Sequence, residues 1–300
     1  MVEIFSFYKF KKLNKVKTLR KAIFNVIFEN NAKGLVIISP EGINGTLSGR
    51  KKDISILSKY IKKIISIRNF DIQNKLYSNF IPFLKLKVKI KNEVVPINEK
   101  YKFKNSNKKN YLTPRAWDKF LNKKNIKIID ARKPFEYDIG TFKGAINPNT
   151  KNFREFKNYL TNLKKNEPVG MFCTGGIRCE KATNYLNNQG FKNVYMLKGG
   201  IINYFNKTKP SKSNWRGECF VFDNRVTITK NTKTGSYSIC NGCRMPINNK
   251  EKKSPKYKIG LSCPKCYNNL TKDQIERFTM RHQQIVKSKN NYKFKRNIAR

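Results

Sequence analysis

Two hydrophobic periods alternate along the first ninety residues of this 300-residue chain. Ile4-Phe5-Ser6-Phe7-Tyr8, within residues 3–10, reads as a strand, as do Leu35 to Ile38 and Ile43 to Leu47. Between them the apolar spacing lengthens to the helical period. Leu19, Ala22, Ile23, Val26 and Ile27 share one stripe over residues 17–30, and Ile54, Leu57, Ile61 and Ile65 share another. Phe83 to Ile90 closes the set as a strand. The order β-α-β-β-α-β predicts a ferredoxin-like domain over residues 1–95. Ser39-Pro40-Glu41-Gly42-Ile43-Asn44-Gly45-Thr46 is dense in turn formers. It predicts a tight hairpin with Gly42 and Gly45 at positive φ, and a surface facing a substrate is the competing use.

Residues 91–112 are a polar connection, richest in Lys and Asn from Lys102 to Asn110. A second domain, 111–210, opens on Thr113-Pro114, an N-cap followed by proline at the first helical position. Trp117, Phe120 and Leu121 give that helix an apolar face. Strands are predicted at Ile126–Asp130, Val169–Phe172 and Val194–Leu197. Helices are predicted at Asn152–Leu163, Ile177–Leu186 and from Gly199-Gly200 through Phe205. This alternation predicts a parallel α/β sheet covered on both faces. The third region, 211–300, reads as strand, turn and strand over Trp215 to Val226, then two cysteine pairs, then a helix from Asp273. That helix carries Glu276, Arg277, Arg281 and Gln284 on its polar side and ends in a Lys- and Arg-rich tail. The single histidine, His282, reads as a surface residue.

The chemistry centres on Cys173-Thr174-Gly175-Gly176-Ile177-Arg178. Cys173 falls between a strand and a helix, at the carboxyl end of the sheet, where such folds hold their sites. The two glycines let the chain coil and turn N–H groups inward. The helix N-terminus and Arg178 add positive charge. A thiol held this way ionises well below the free value of about 8.5. Cysteine-dependent phosphatases place five residues between Cys and Arg, whereas four separate Cys173 from Arg178. The smaller ring suits a terminal sulfur or a small anion, and it resembles the rhodanese (sulfurtransferase) loop. Asp130 and Arg132 either support this loop or form an ordinary ion pair.

Composition adds limits. Apolar residues make up 38%, with no run long enough to span a membrane. Met1-Val2-Glu3-Ile4 has no signal-peptide pattern, so a cytoplasmic protein is expected. Seven cysteines, partly in C-x-x-C pairs, point to metal or chemistry rather than disulfides. Cys240/Cys243 and Cys263/Cys266, with nineteen residues between the pairs, fit a four-thiolate structural zinc site. One histidine rules out the two-histidine iron triad. The net charge of +46 favours a polyanionic partner, although a bias of the coding sequence toward Lys, Asn and Ile would also produce it.

Glu41-Gly42-Ile43-Asn44-Gly45-Thr46, Asp130 with Arg132, Cys173 through Ala182, and Cys219-Phe220-Val221-Phe222-Asp223 with Arg225-Val226 together resemble the O2-dependent tRNA uridine hydroxylases with a central rhodanese domain. The resemblance covers nearly the whole chain. It implies 5-hydroxylation of the wobble uridine in the tRNA anticodon, with molecular oxygen as co-substrate and Cys173 as the active-site cysteine. No flavin, nicotinamide or haem motif accompanies it, so the electron donor is unassigned. Two roles stand open for Cys173: addition to C6 of uracil, or carriage of a persulfide, with Cys179 either a resolving thiol or helix packing. A plain sulfurtransferase and a noncatalytic RNA-binding scaffold are the alternatives. Phe142 and Trp215 are the candidate base-stacking side chains.

Overall fold

The computed structural model describes residues 1–97 and 110–290, apart from the side chains of 288–290. Most of the expected polar connection (98–109) and the basic end of the tail (291–300) lie outside the described residues. The chain forms two compact units. Met1–Phe220 with Ile228–Lys233 make the first, and Val221–Thr227 with Thr234–Arg300 the second.

The first unit begins with Val2–Phe10 (β1), Val16–Glu29 (α1), Lys33–Ser39 (β2), Gly42–Gly49 (β3), Lys51–Ile64 (α2), Ile72–Ser78 (β4) and Leu86–Ile90 (β5). The sheet order is β4-β1-β3-β2-β5. Ile23 and Ile27 of α1 and Ile54, Leu57 and Ile61 of α2 are buried against Phe5, Phe7, Ile43 and Leu47. Each such side chain contributes about 1.5–3 kcal/mol by leaving water. Ala22, placed on the α1 stripe by its spacing, is exposed.

The strand that closes the ferredoxin-like order is β4, antiparallel to β1, and not the Phe83–Ile90 segment. β5 is a fifth strand, parallel to β2 at the opposite edge. The pattern hid β4 because its inward positions are Ile72, Asn74, Leu76 and Ser78, half of them polar. Asn74 satisfies its amide outside the sheet, donating to the Gly199 carbonyl at 2.9 Å. The hairpin turn is Pro40-Glu41, and Gly42 takes φ +151° with no room for a side chain, since a Cβ there would lie 2.1 Å from the Lys9 carbonyl oxygen. Gly45 does not take positive φ as expected. Its missing side chain instead leaves space for the Phe7 ring.

The central part contains Tyr111–Leu112 (β6), Pro114–Leu121 (α3), Lys127–Asp130 (β7), Pro134–Ile139 (α4), Gly140–Phe142 (β8), Phe153–Thr161 (α5), Val169–Phe172 (β9), Ile177–Asn188 (α6), Val194–Leu197 (β10), Gly200–Lys207 (α7), Trp215–Gly217 (β11) and Cys219–Phe220 (β12). Strands β6-β10-β9-β7 form a parallel sheet. Thr113 caps α3 by accepting from the Ala116 N–H, as its sequence predicts.

The two domains of this unit meet through the sheet face that α1 and α2 leave uncovered. Tyr8, Phe10, Ile72, Val94 and Ile37 pack there around Ile177 at the start of α6. The Tyr8 hydroxyl donates to Glu180 at 2.7 Å. The Lys181 ammonium, almost wholly buried, donates to Glu41 at 2.7 Å and to Glu93 at 2.5 Å. The hairpin motif therefore delivers a carboxylate to the helix that follows the cysteine loop.

The second unit holds Thr227–Ile228 (β13, whose last residue belongs to the first unit), Ser238–Ile239 (β14), Pro246–Ile247 (β15), Asn249–Lys252 (α8) and Lys272–Asn290 (α9). Glu276, Arg277, Arg281 and Gln284 are exposed on α9 as expected. His282 is not a free surface residue. It is half-buried against Gly260, whose φ of +80° and missing Cβ admit the ring.

Lys181→Met should reduce stability by about 2–4 kcal/mol, because removing one partner of a buried pair costs about 3–5 kcal/mol and both carboxylates keep some solvent contact. Denaturant unfolding of the full chain measures this, and an unchanged midpoint would refute the clamp.

Candidate active site

Val169–Phe172 is buried at every position and lies between β10 and β7, so Cys173 emerges at the carboxyl end of a central strand. Gly176 ends the loop at φ +98° and starts α6. Gly200 presses against the loop backbone, where a Cβ would lie 2.4 Å from the Cys173 carbonyl oxygen. The N–H groups of Ile201 and Ile202 donate to the carbonyls of Cys173 and Thr174 at 3.0 and 3.1 Å. The Gly199-Gly200 pair is thus a support for the loop, a role its sequence did not reveal.

The Cys173 residue is only 1% exposed. Burial is the largest influence on its sulfur and opposes ionisation. The Cys179 thiol, the Arg178 charge and the N–H groups of Cys179 and Gly176 together outweigh it, and bring the thiol down to about 6. The Gly176 N–H donates to the sulfur at 3.2 Å. Burial, then the hydrogen bond to Cys173 and its charge, push the Cys179 thiol well up. Cys179 therefore remains protonated beside an ionised Cys173. Around the sulfur, Gly175, Ile177 and Arg178 keep partial exposure and form the mouth of the loop.

Arg178 does not project freely into the loop. Its guanidinium makes a two-pronged pair with the buried Glu136 at 3.0 and 3.1 Å and donates to Thr174 Oγ1 at 3.3 Å. Burial presses Glu136 toward its neutral form, but Arg178, Arg132 and the Lys133 N–H hold its carboxyl below the usual range. Sequence reasoning passed over Glu136 as a site residue, since it lies 42 positions from Arg178. Its spacing from Lys133-Pro134 at a helix start was the available signal.

Asp130 and Arg132 are a fully buried ion pair, with Arg132 Nε and Nη2 donating at 2.8 and 2.6 Å. Thr141 also donates to Asp130, and Arg132 donates to the Gly140 carbonyl. The Arg132 guanidinium lies 5.1 Å from the Trp215 ring centroid. Their hydrogen bonds run to β8, and the guanidinium faces the Trp215 ring of β11, rather than the cysteine loop. Phe142 and Trp215 are unavailable for base stacking. Both are buried in an aromatic cluster with Trp117, Phe172 and Tyr204, with ring centroids 4.8–6.1 Å apart.

In the second unit, the sulfurs of Cys240, Cys243, Cys263 and Cys266 all lie within 4.8 Å of one another. Cys243–Cys263 and Cys263–Cys266 are 3.7 and 3.9 Å apart. A tetrahedral ion with bonds of about 2.3 Å to sulfur needs edges of about 3.8 Å, so the four residues fit a metal ion. Gly242 lies where a Cβ would meet the Leu261 carbonyl oxygen at 2.2 Å, which keeps the first knuckle tight.

Residues 2–94 match the UPF0176 acylphosphatase-like domain, and residues 113–207 match the rhodanese-like domain. A tRNA uridine(34) hydroxylase of Pelagibacter ubique (strain HTCC1062) is 50% identical over 285 residues, covering 95% of this chain and 94% of that protein. The chain belongs to the tRNA uridine(34) hydroxylase family. Among solved structures, the rhodanese-like domain of an Anabaena protein is 21% identical over 36% of this chain and 79% of that one, with a TM-score of 0.30. A Staphylococcus aureus rhodanese-like protein is 25% identical over 31% and 89%, with a TM-score of 0.28. At those scores they carry no argument. No helix among the described residues is long and apolar enough to cross a membrane.

Alkylation of Cys173 by iodoacetamide, located by peptide mass spectrometry, should rise with pH around a midpoint near 6. Acid below that midpoint protonates the sulfur and stops attack, since only the thiolate is nucleophilic. Arg178→Ala removes the favourable charge and should move the midpoint up by about one unit or more. A wild-type midpoint at the free-thiol value of about 8.5 would overturn the account.

Proposed function

We propose that this chain converts uridine 34 of tRNA to 5-hydroxyuridine, acting through Cys173 in the cytoplasm. The observation that carries the proposal is the ionised sulfur of Cys173, at the carboxyl end of the rhodanese-like sheet in a chain of this family. Molecular oxygen is the co-substrate. One of its atoms enters the C5–H bond, and the other leaves as water with two electrons and two protons from an external reductant. The Cys173 thiolate adds to C6 of uracil and pushes the electron pair toward C5. After C5 has gained oxygen and lost its proton, the thiolate departs and restores the double bond. Arg178, held by Glu136, keeps a positive charge beside the sulfur. Thr174, Gly175, Gly176 and Ile177 shape the loop, while Asp130 and Arg132 brace the neighbouring strand end.

Residues 1–95 and 111–210 would form the catalytic body and 211–300 a zinc-stabilised third part. Zinc at Cys240, Cys243, Cys263 and Cys266 serves folding, because four sulfurs leave no open coordination position. A sulfurtransferase limited to the central domain leaves the Lys181 and Tyr8 contacts without a purpose.

Nucleoside digests of tRNA from cells lacking the protein should lose 5-hydroxyuridine, and Cys173→Ala should fail to restore it. Loss of a thiolated nucleoside instead would favour a persulfide on Cys173, and an unchanged digest would favour a noncatalytic scaffold. The purified full chain should contain about one zinc ion, lost in Cys263→Ser together with cooperative unfolding of the second unit. A metal-free, fully folded wild-type chain would reject that site.

A further inference from the structure

One face of the N-terminal sheet is turned toward the cysteine loop and is only partly covered. Directly paired residues on neighbouring strands share a face. One row across the register therefore runs Ile72, Tyr8, Asn44, Ile37 and Lys89. Tyr8 and Ile37 both pack in the cluster that contains Ile177. A Cβ on Gly176 would stand 3.3 Å from the Tyr8 hydroxyl. Asn44, between Tyr8 and Ile37, thus sits beside the last residues of the loop that carries Cys173.

Asn44 is half-exposed, and its side-chain amide has no hydrogen-bond partner among the described residues. It belongs to a motif whose glutamate the fold uses as a clamp, whose Gly42 the hairpin uses and whose Gly45 admits the Phe7 ring, which leaves the asparagine unexplained. Lys87 and Lys89 lie on the same face and are exposed. An amide carries an acceptor oxygen beside a donor nitrogen. The Watson–Crick edge of uracil presents the complement, the N3–H donor beside the O4 acceptor, and single-stranded RNA is read on that edge.

We propose that Asn44 hydrogen-bonds the N3–H and O4 of the target uracil, while Lys87 and Lys89 take phosphates of the same single-stranded loop. This rests on the tRNA reading above and adds to it a residue that holds the target base by its Watson–Crick edge. A uridine-bearing RNA loop is the occupant that the lysines and the free amide both match.

The test uses the full chain and two anticodon stem-loop RNAs that differ only in uridine or N3-methyluridine at the target position, the methyl group removing the N3–H donor. Binding is read by fluorescence anisotropy. Asn44→Asp offers acceptors alone, which keep the N3–H of uracil but repel its O4. It should weaken the uridine loop roughly tenfold or more and change the N3-methyluridine loop little. Asn44→Ala should weaken the uridine loop and change the N3-methyluridine loop little, and it carries the test if the Asp variant does not fold. The double variant Lys87→Ala, Lys89→Ala should weaken both RNAs alike and flatten the salt dependence. Equal losses for both RNAs in the Asn44 variants, or no loss, would overturn the assignment of Asn44 while wild-type binding keeps the tRNA reading intact. A wild-type chain that binds neither RNA would overturn both.

Discussion

A charge cannot be taken out of water alone, and the first unit is arranged around that constraint. The Cys173 sulfur is buried and ionised, so several groups must share its negative charge. Two backbone N–H groups, a neighbouring thiol and a guanidinium supply this. The guanidinium is itself fixed by Glu136, which keeps its charge in place without letting it collapse onto the sulfur. The Lys181 ammonium, two residues beyond Cys179, is neutralised by Glu41 and Glu93 from the other domain. Arg178 and Lys181 each depend on a partner distant in sequence, whereas the Cys173 sulfur is served by groups three to six residues away.

The same logic recurs as a short motif. In Asp130-Ala131-Arg132 and in Asp223-Asn224-Arg225, the carboxylate accepts from the guanidinium and from the N–H of the arginine two residues on. Each clamp ties down a chain reversal in its own unit and leaves its arginine buried. The first is packed against the aromatic rings of Phe172 and Trp215, at the strand ends beside the cysteine loop. That burial is why two residues that resemble nucleotide-stacking aromatics, Phe142 and Trp215, serve the core.

The cysteine loop was legible because its signals are local. A buried strand, a thiol, two glycines, an arginine and a helix start occupy eleven consecutive residues, Met171 to Lys181. The four clustered cysteines were legible for the same reason, in two C-x-x-C pairs whose sulfurs the fold brings within 4.8 Å of one another. Strand β4 was misplaced because its inward polar side chains are satisfied by another domain. Glu136, Glu41 and Tyr8 went unrecognised because a lone acid or tyrosine carries no period, and its meaning depends on what folds against it.

Taken by itself, the chain determined the strands and helices that carry a clear apolar period, though not β4, that Cys173 sits at a strand-to-helix turn, and which cysteines group together. Those properties follow from spacing within one segment, through alternation, capping and glycine placement. Only the tertiary structure decided that the N-terminal sheet seats itself on the helix after the loop, that Arg178 is held by Glu136, and that Asn44 stands open beside the site. Those are pairings across 42 to 172 residues, set by which buried charges and apolar faces find complements in three dimensions.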